Sequence, residues 1–563
     1  MEVEYKLKEV LKKITGLKEI SLEIPKPEFG DYAFACFSLA REQKKNPNNV
    51  AKELVEKLQS QLPKEISKIE AVNGYINFSV DKSNFLKAVI EKILKDKEKF
   101  GSLNLKGKAL IEHTSINPNA SPHVGRIRNA IIGDILARLL RFHGYKTEVH
   151  YYVNDVSKQM ALLVLGSKGN ETFDDLLKLY VEMSKKMESD PEIEKKVFEI
   201  LEKIEKKDKE TIAKLNRLVK IAIEGQRNIL AKLGIFYDSF DYESKYLEKG
   251  KLKDVLKQFE KTKRLEKDVE GRYVLNQSNM KWQFEKEMKS PILVLTRSDG
   301  TGLYVLRDIA YTIDKMKKAP VNIIVLGEDH KLYFKQLTAA LELLGYNAPR
   351  VVHYSFILLK TKKGVKKMST RRGEIILVSD FVEEAIKKAE KEIKKRKREN
   401  KIDLKKVAEA IAIGAIRYSI AKVEQDKGIL FDWNEALNFE GNSGPYLQYV
   451  YARASNILKK LEEKKGKLKE ASYNDINDKE YTLAKELSLF PEIAKISLEQ
   501  LKPYLLCNYA YKLAQLFNDF YESCPVINAE AGIKERRVSL VRATKQVLAN
   551  VLNIIGVPVL EAM

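Results

Sequence analysis

The sequence predicts a multidomain chain in which an α/β nucleotide-binding fold is split by a helical insertion and flanked by two further domains. Two stretches, residues 108–144 and 321–345, each carry a strand-length apolar run, a polar turn and a helical apolar pattern. A Lys/Glu-dense, mostly helical stretch lies between them. The length of 563 residues exceeds what one hydrophobic core supports, so we expect about three to five domains.

Changes of pattern along the chain give the domain limits that we predict. The segments are 1–104, a small α+β domain; 105–165 and 290–362, the two halves of the split fold; 166–289, the insertion; 363–410, a basic loop and linking region; and 411–563, a helical bundle. We expect the stretch from Pro291 to form a strand, a Gly-rich hairpin turn, a second strand and a helix. Residues 351–360 are expected to form one further strand, and the charges of the insertion are expected to be solvated.

The turn of the first strand–turn–helix unit is a candidate phosphate site. The apolar run 109–111 precedes it, and the helical pattern opens near Gly125 and stops at Gly144. In a Rossmann-like unit of this kind, the free N–H groups of the helix N-terminus can hold phosphate. The turn contains His123 but no GxxxxGK[ST] motif, so it is not a P-loop. The alternative interpretation is an ordinary turn with His123 as a polar surface residue.

Composition points to a polyanionic partner. The chain has 101 basic and 79 acidic residues, a net charge of +22, which favours nucleic acid, although a Lys/Glu-rich solvated surface would give the same balance. The sequence contains no apolar run of about 18 residues, so it predicts no membrane span. Three widely spaced cysteines without a CxxC pair argue against zinc ribbons and disulfide frameworks and fit a reducing cytosol.

Two aromatic patterns are candidate base-binding surfaces. Tyr75 and Asn77 follow an Asn73-Gly74 turn and lie on one face of a predicted strand, where an aromatic beside an amide suits a flipped-out base. Tyr446, Tyr449 and Arg453 recur at helical spacing. In both places the alternative is core packing of the tyrosines.

Taken together, the motifs resemble those of class I aminoacyl-tRNA synthetases, and specifically the arginyl-tRNA synthetase family. His123-Val124-Gly125-Arg126 stands where the class carries its HIGH signature, and Lys367-Met368-Ser369 where it carries KMSKS. The resemblance covers nearly the whole chain and includes further runs similar to this family. They are FGDYA, EHTSINPNASPHVG, YVNDVSKQ, DGTGLYVLRDIAY, KKMSTRRG and FEGNSGPYLQYVYAR.

The resemblance implies a role for a defined set of residues. The catalytic signatures would be His123, Gly125, Arg126, Lys367, Met368 and Ser369. Arginine would be held by Glu112, Ser115, Asn117, Tyr304 and Asp308, with the two carboxylates converging from different strands. ATP would contact Asn119, Pro122, His123, Gly125 and Lys367. The D-loop of tRNA would meet Asn73, Tyr75 and Asn77, and the anticodon Tyr446, Tyr449, Arg453 and Met563.

The resemblance also implies the reaction and the partners. Arginine and ATP, with Mg²⁺ accompanying the ATP, would give arginyl-adenylate, from which arginine passes to tRNA(Arg). The helical bundle would bind the anticodon. The protein would be a cytoplasmic monomer without a resident metal site or a membrane anchor.

Departures from the family pattern keep two alternatives open. Arg126 stands where the second histidine of the signature is usual, and Ser157 replaces a usual glycine. The GEDHK turn resembles either of two family variants, so no role is given to Asp329 or His330. The alternatives are a class I synthetase for another amino acid and a synthetase-like tRNA-binding protein that has lost catalysis.

Overall fold

A computed structural model of the chain describes residues 2–563 except 24, 27–28, 248, 279–289, 362–363, 367–375, 396–402 and 464–468. Lys367, Met368 and Ser369 therefore lie outside the described residues.

The N-terminal domain packs helices against a three-stranded antiparallel sheet of order β1-β3-β2. Its elements are α1 Glu2–Thr15, β1 Tyr32–Ala35, α2 Phe37–Gln43, α3 Pro47–Leu58, β2 Ile66–Val72, β3 Tyr75–Val80 and α4 Lys82–Asp96. The predicted hairpin turn is confirmed: Asn73 and Gly74 have φ of 51° and 79°, the left-handed backbone that Asn and Gly tolerate best. Pro47 opens α3 behind an Asn46 cap, whose side chain accepts from the Asn48 N–H.

The predicted split nucleotide fold is confirmed as a five-stranded parallel sheet of order β11-β10-β4-β5-β6. Its elements are β4 Lys108–Glu112, α5 Val124–Phe142, β5 Lys146–Val153, α6 Lys158–Gly166, β6 Ser239–Tyr242, β10 Val321–Gly327, α12 Lys331–Leu343 and β11 Arg350–Tyr354. The central strands are continuous apolar runs because helices cover both faces of such a sheet. Strand β6 comes from within the predicted insertion, so residues 239–242 belong to the nucleotide fold.

The rest of the insertion is mostly helical, as predicted. It contains α7 Phe173–Ser189, α8 Pro191–Glu205, α9 Lys209–Lys232 and α10 Lys249–Glu260, followed by β7 Leu265–Lys267 and β8 Tyr273–Asn276. Aspartates begin two of the helices, since Asp190 caps α8 and Asp208 caps α9. The strand predicted after Pro291, β9 Ile292–Val294, pairs with β8 in a separate antiparallel sheet rather than with the parallel one.

The second strand predicted in this region does not form. After an isolated bridge between Thr296 and Gly302, the chain enters α11, Tyr304–Lys318. A short apolar run such as LYVL fits a strand or a buried helix equally well. The burial of Leu306, Ile309 and Ile313, at helical spacing, decides for the helix.

Beyond the parallel sheet lie a small mixed sheet and the helical domain. Their elements are β12 Ile357–Thr361, β13 Gly364–Lys366, α13 Val378–Lys395, α14 Leu404–Ala421, β14 Ile429–Phe431, α15 Trp433–Ala436, α16 Gly444–Glu463, α17 Asp478–Glu499, α18 Tyr504–Ser523 and α19 Ile533–Ile555. Three expectations change here. Residues 351–360 form two strands in different sheets, β14 interrupts the region predicted to be helical, and a boundary after residue 410 would cut α14.

Buried arginines fasten α5 to helix α14 and to the chain around Ser355 and Lys427. Arg417 of α14, fully buried, donates to Asp134 Oδ2 of α5 at 2.5 Å and to the Leu233 and Ile555 carbonyls at 2.9 and 3.1 Å. Arg128 donates to the carbonyls of Ser355 and Lys427 at 2.9 and 2.6 Å. Since a charge without partners is costly in a core, these contacts fix the position of α5.

Candidate active site at the carboxyl edge of the parallel sheet

An open cavity of about 740 Å³ lies at the carboxyl ends of β4, β5 and β10, the edge where open α/β sheets bind their ligands. Many of the residues with a predicted role in binding or catalysis line it. They are Glu112, Ser115, Asn117, Asn119, His123, Arg126, Tyr304 and Asp308. Pro122 and Gly125 are not among the lining residues: the Pro122 carbonyl accepts from the Val378 N–H at 2.9 Å, and Gly125 lies in the first turn of α5.

Glu112 and Asp308 both reach the cavity, but Asp308 comes from helix α11 and not from a strand as expected. Lys315, about two turns further along α11 than Asp308, forms a buried ion pair with Glu112. The Asp308 carboxylate accepts from the Tyr333 hydroxyl at 2.6 Å and from the Thr312 hydroxyl at 3.4 Å. Burial raises the pKa of Asp308, and Glu112 adds to the rise while Lys315 and the Tyr333 hydrogen bond oppose it.

A second buried ion pair lies beside the first. Arg307 Nε donates to Glu243 Oε1 at 2.6 Å and Arg307 Nη1 donates to the Gly302 carbonyl at 3.0 Å. Burial raises the pKa of Glu243 to about 7 against the opposing effect of Arg307. Sequence reasoning missed Glu243 and Tyr333, which line the cavity from outside the quoted motifs. It also missed Lys315, which is not a lining residue but pairs with Glu112.

The loop between β4 and α5, residues 113–123, carries the polar lining of one wall. We call it the β4–α5 loop. Thr114 and Ser115 have φ of 75° and 43°, and the Thr114 N–H donates to Asn129 Oδ1 of α5 at 2.6 Å. Asn117 donates to Gln159 Oε1 at 2.8 Å, so the family-like run YVNDVSKQ meets this loop. Ser157 caps α6 by accepting from the Met160 N–H, which gives its hydroxyl a structural use.

The HIGH-like signature begins α5, and the chain after the basic loop is bonded to it. His123 is the N-cap residue and Arg126 lies exposed in the first turn. The Val124 N–H donates to the Ile376 carbonyl at 3.0 Å, immediately after the undescribed residues 367–375. Burial, with Arg126 adding to it, lowers the pKa of His123 to about 4, so its ring is neutral at pH 7.

The N-terminal candidate residues do not all lie on one exposed surface. Tyr75 is half-buried and packs edge-on against Phe37, with ring centroids 5.1 Å apart, and Phe37 is 45% exposed. Asn73 is exposed in the turn. Asn77 is only 6% exposed, so its side chain lies in the domain interior and not on the predicted base-binding surface. Phe37, which the sequence pattern did not single out, shares the exposed face with Tyr75.

The C-terminal candidate residues also differ in exposure to solvent. Tyr446 is 8% exposed and its hydroxyl accepts from Asn518 at 2.9 Å, which is the core-packing alternative. Arg453 lies over the rings of Tyr449 and Tyr521, at 4.8 and 5.3 Å from their centroids, in a partly exposed layer. Met563 is half-buried.

The part of the chain that the structure describes contains neither a cluster of metal-binding side chains nor a membrane-spanning helix. No group of three or more His, Cys, Asp or Glu side chains there is arranged to hold a metal ion. Likewise, no described helix has the length and apolarity needed to cross a membrane.

Comparison with known proteins agrees with this geometry. Residues 89–433 match the family described as tRNA synthetases class I (R), catalytic domain. Residues 447–563 match the DALR anticodon binding domain, and residues 1–80 the arginyl tRNA synthetase N terminal domain. The parallel sheet, its cavity and the catalytic-domain match define a class I aminoacyl-tRNA synthetase.

Relatives of known name narrow the assignment. The chain is 41% identical to an arginine–tRNA ligase of Methanocaldococcus jannaschii over 98% of this chain and 97% of the relative. It is 37% identical to an arginine–tRNA ligase of Archaeoglobus fulgidus over 94% of each chain. The solved Thermus thermophilus arginyl-tRNA synthetase superposes with a TM-score of 0.83 at 28% identity, over 100% of this chain and 99% of the other. The chain belongs to the arginyl-tRNA synthetase family.

Proposed function

We propose that the cavity at the carboxyl edge of the sheet binds arginine and ATP and is where this chain carries out its reaction. The chain is an arginine–tRNA ligase, which charges tRNA with arginine. The observation that carries the assignment of the cavity is a pair of carboxylates in its wall, the buried Glu112 and the half-buried Asp308. A guanidinium stays charged at every working pH and presents a planar fork of donors that carboxylates match.

Arginine selection follows from the charges in the cavity wall. Asp308 is bonded to neutral hydroxyls of Tyr333 and Thr312, so its negative charge is available to a cationic ligand. Glu112 is paired with Lys315 through Oε2. A neutral isostere of arginine would leave a buried carboxylate without a cation, at a cost of several kcal/mol.

The chemistry needs positioning and positive charge rather than an enzyme nucleophile. A carboxylate oxygen of arginine attacks the α-phosphorus of ATP as the bond to pyrophosphate breaks, giving arginyl-adenylate. A hydroxyl of the terminal adenosine of tRNA then attacks the arginyl carbonyl, and AMP leaves. The positive end of the α5 dipole, together with Arg126 and Lys367, supplies positive charge where negative charge develops. His123 donates as a neutral imidazole.

Magnesium would arrive with the ATP. The described residues offer no carboxylate cluster for a resident metal. Mg²⁺ in nucleotide sites is commonly held through substrate phosphates and water, where it neutralises phosphate charge. The protein's own part is then to hold the nucleotide through Asn119, Pro122, His123, Gly125 and Lys367.

The tRNA surfaces that we propose are narrower than the sequence pattern suggested. Among the candidate tRNA-binding residues of the N-terminal domain, Asn73 and Tyr75 are accessible, with Phe37 beside Tyr75. Among those of the helical domain, Tyr449 and Arg453 are accessible, with Tyr521 beside Arg453. The net charge of +22 favours the polyanion at both surfaces. We further propose that the partner is tRNA(Arg), that the enzyme acts as a monomer and that it works in the cytoplasm.

ATP–pyrophosphate exchange across a panel of amino acids tests this proposal. The assay is run with and without tRNA, because enzymes of this family require tRNA for the exchange. Arginine is expected to support exchange, and lysine, glutamate and citrulline are not. Exchange supported best by another amino acid would favour a different class I specificity. Tight tRNA binding without any exchange would favour a chain that has lost catalysis.

A further inference from the structure

Gln226 of α9, in the insertion, lies fully buried against the β4–α5 loop. Its Nε2 lies 3.0 Å from the Asn117 carbonyl oxygen and 2.9 Å from the Ala120 carbonyl oxygen. Because carbonyl oxygens only accept, the amide nitrogen and not the amide oxygen must face them. The chemistry of these partners therefore fixes the orientation of the side chain.

The other end of the Gln226 amide meets Tyr151 of β5. The Tyr151 hydroxyl lies 2.7 Å from Gln226 Oε1 and 2.9 Å from the Ile116 carbonyl oxygen, and it accepts from the Ile116 N–H at 3.0 Å. Its single hydrogen serves one of the two acceptors at a time. Gln226 and Tyr151 together bond four backbone groups of residues 116–120, and both side chains are almost completely inaccessible to solvent.

The β4–α5 loop needs such support. Thr114 and Ser115 have left-handed backbone conformations, with φ of 75° and 43°. Non-glycine residues keep such conformations only where the surroundings over-determine them. Ser115, Asn117 and Asn119 are the proposed substrate contacts of this loop, so the backbone that Gln226 holds is the backbone that aims them.

We propose that Gln226 is a positioning residue that holds the β4–α5 loop in its substrate-binding conformation. It does not line the cavity, so it acts through the loop and not on a substrate. The insertion then contributes to the geometry of the active site, because its helix α9 supports the β4–α5 loop. This inference rests on the proposed function of the cavity, because it assigns Gln226 to the alignment of arginine and ATP there.

The test is the substitution Gln226→Met, which keeps the side-chain length and removes both donors. Exchange is measured at saturating tRNA, with kcat and KM determined separately for arginine and for ATP. A misplacement of about 1 Å costs roughly 100-fold in catalysis, so we expect kcat/KM for arginine to fall by about that factor. Affinity for tRNA, measured at fixed salt, should stay within about twofold of wild type because the tRNA surfaces lie on other domains.

Gln448→Met is the matched control. Gln448 is also fully buried and donates to two backbone carbonyls, those of Ala410 and Pro558, at 2.9 and 2.8 Å, but it lies in the helical domain. Both substitutions should lower the melting temperature to a similar extent, since each leaves two carbonyls without a donor. Only Gln226→Met should lower kcat/KM for arginine beyond roughly threefold. An equal kinetic loss in both variants would overturn the positioning role.

Tyr151→Phe is the second test variant and replaces Gln226→Met if that variant does not fold. It removes only a hydroxyl. We expect it to lower kcat/KM for arginine, and the double variant to lose no more than the larger single loss, since the two side chains act on one loop. If Gln226→Met, or Tyr151→Phe in its place, keeps kcat/KM within roughly threefold of wild type, the inference is wrong. Absence of arginine-dependent exchange by the wild-type enzyme would instead refute the proposed function.

Discussion

Lys315 and Glu112 form an ion pair inside the cavity wall, with side chains that are 3% and 6% exposed. Lys315 Nζ also lies 4.3 Å from the centre of the Tyr311 ring. Glu112 is thus matched by a cation of the protein itself, whereas Asp308 accepts from the hydroxyls of Tyr333 and Thr312. The two carboxylates that the sequence assigned to one task have different electrostatic surroundings, and Asp308 is the one that a guanidinium would neutralise.

Asp308→Asn is expected to lower kcat/KM for arginine. The loss of transition-state stabilisation should be about 2–4 kcal/mol, the scale of a broken buried charge pair. The amide keeps the shape of the carboxylate and loses its charge. Asp314→Asn is the matched control, because Asp314 lies on the same helix with its side chain 36% exposed and paired with Lys251. An arginine KM and kcat close to wild type in Asp308→Asn would remove Asp308 from the site.

Lys315→Met is expected to reduce stability. It leaves the Glu112 carboxylate buried without a cation, which costs about 3–5 kcal/mol of folding free energy. Adding Glu112→Gln removes that charge, so the double variant should unfold at a higher temperature than Lys315→Met alone. Thermal denaturation of the wild type, both single variants and the double variant completes the cycle. A double variant less stable than Lys315→Met would show that the two side chains are not coupled as described.

Arg126→Ala is expected to raise the KM for ATP by about tenfold or more, because a charge-assisted hydrogen bond of about 1.5–3 kcal/mol is lost. Arg126→His, which restores the usual signature residue, should raise it less. Arg141→Ala, at the far end of the same helix, serves as the control and should leave the KM for ATP unchanged. Steady-state exchange kinetics at varied ATP decide the matter, and an unaltered KM in Arg126→Ala would exclude the phosphate contact.

His113 makes stability depend on pH. Burial, with smaller additions from Arg141 and Arg417 and opposition from Asp134, lowers its pKa to about 4. The unfolded chain therefore binds a proton more readily than the folded one below pH 6.5. The stability that this histidine contributes is complete above that pH and is lost as pH falls towards 4, by about 3 kcal/mol in all.

Melting temperatures between pH 7.5 and 4.5 check this expectation. His113→Asn should be less stable than wild type at pH 7.5, and the difference should narrow as the pH falls. His330→Asn, at an exposed histidine, should keep the wild-type pH dependence. A constant difference between His113→Asn and wild type across the range would contradict the depressed pKa.

The sequence predicted the parallel sheet and the turns beside it well because those signals are local. The strand at 108–112, the helix from Val124 and the hairpin at Asn73-Gly74 each follow from adjacent residues. Their periodicities and turn residues determine them without reference to the rest of the chain. The lining residues of the β4–α5 loop were named instead from the family resemblance of one short run, EHTSINPNASPHVG.

What the sequence could not predict depends on contacts between distant segments. Asp308 was expected on a strand because LYVL fits either structure, and only tertiary packing selects α11. Lys315 pairs with Glu112 across 203 positions, and Gln226 reaches Asn117 across 109, so no spacing rule links them. Asn77 lies on a strand and Tyr446 on a helix, as their periodicities predicted, but both side chains are buried. Periodicity alone does not tell which face of an element the rest of the domain covers.

Aminoacylation of a tRNA(Arg) transcript with arginine, canavanine and lysine, side by side, tests the central claim most directly. The claim is that the cavity recognises a cationic planar fork through Asp308 and Glu112. It predicts efficient charging with arginine, weaker charging with canavanine, whose guanidinium-like group is less basic, and no measurable charging with lysine. Charging with lysine as efficient as with arginine, or binding of the tRNA without any charging, would contradict it.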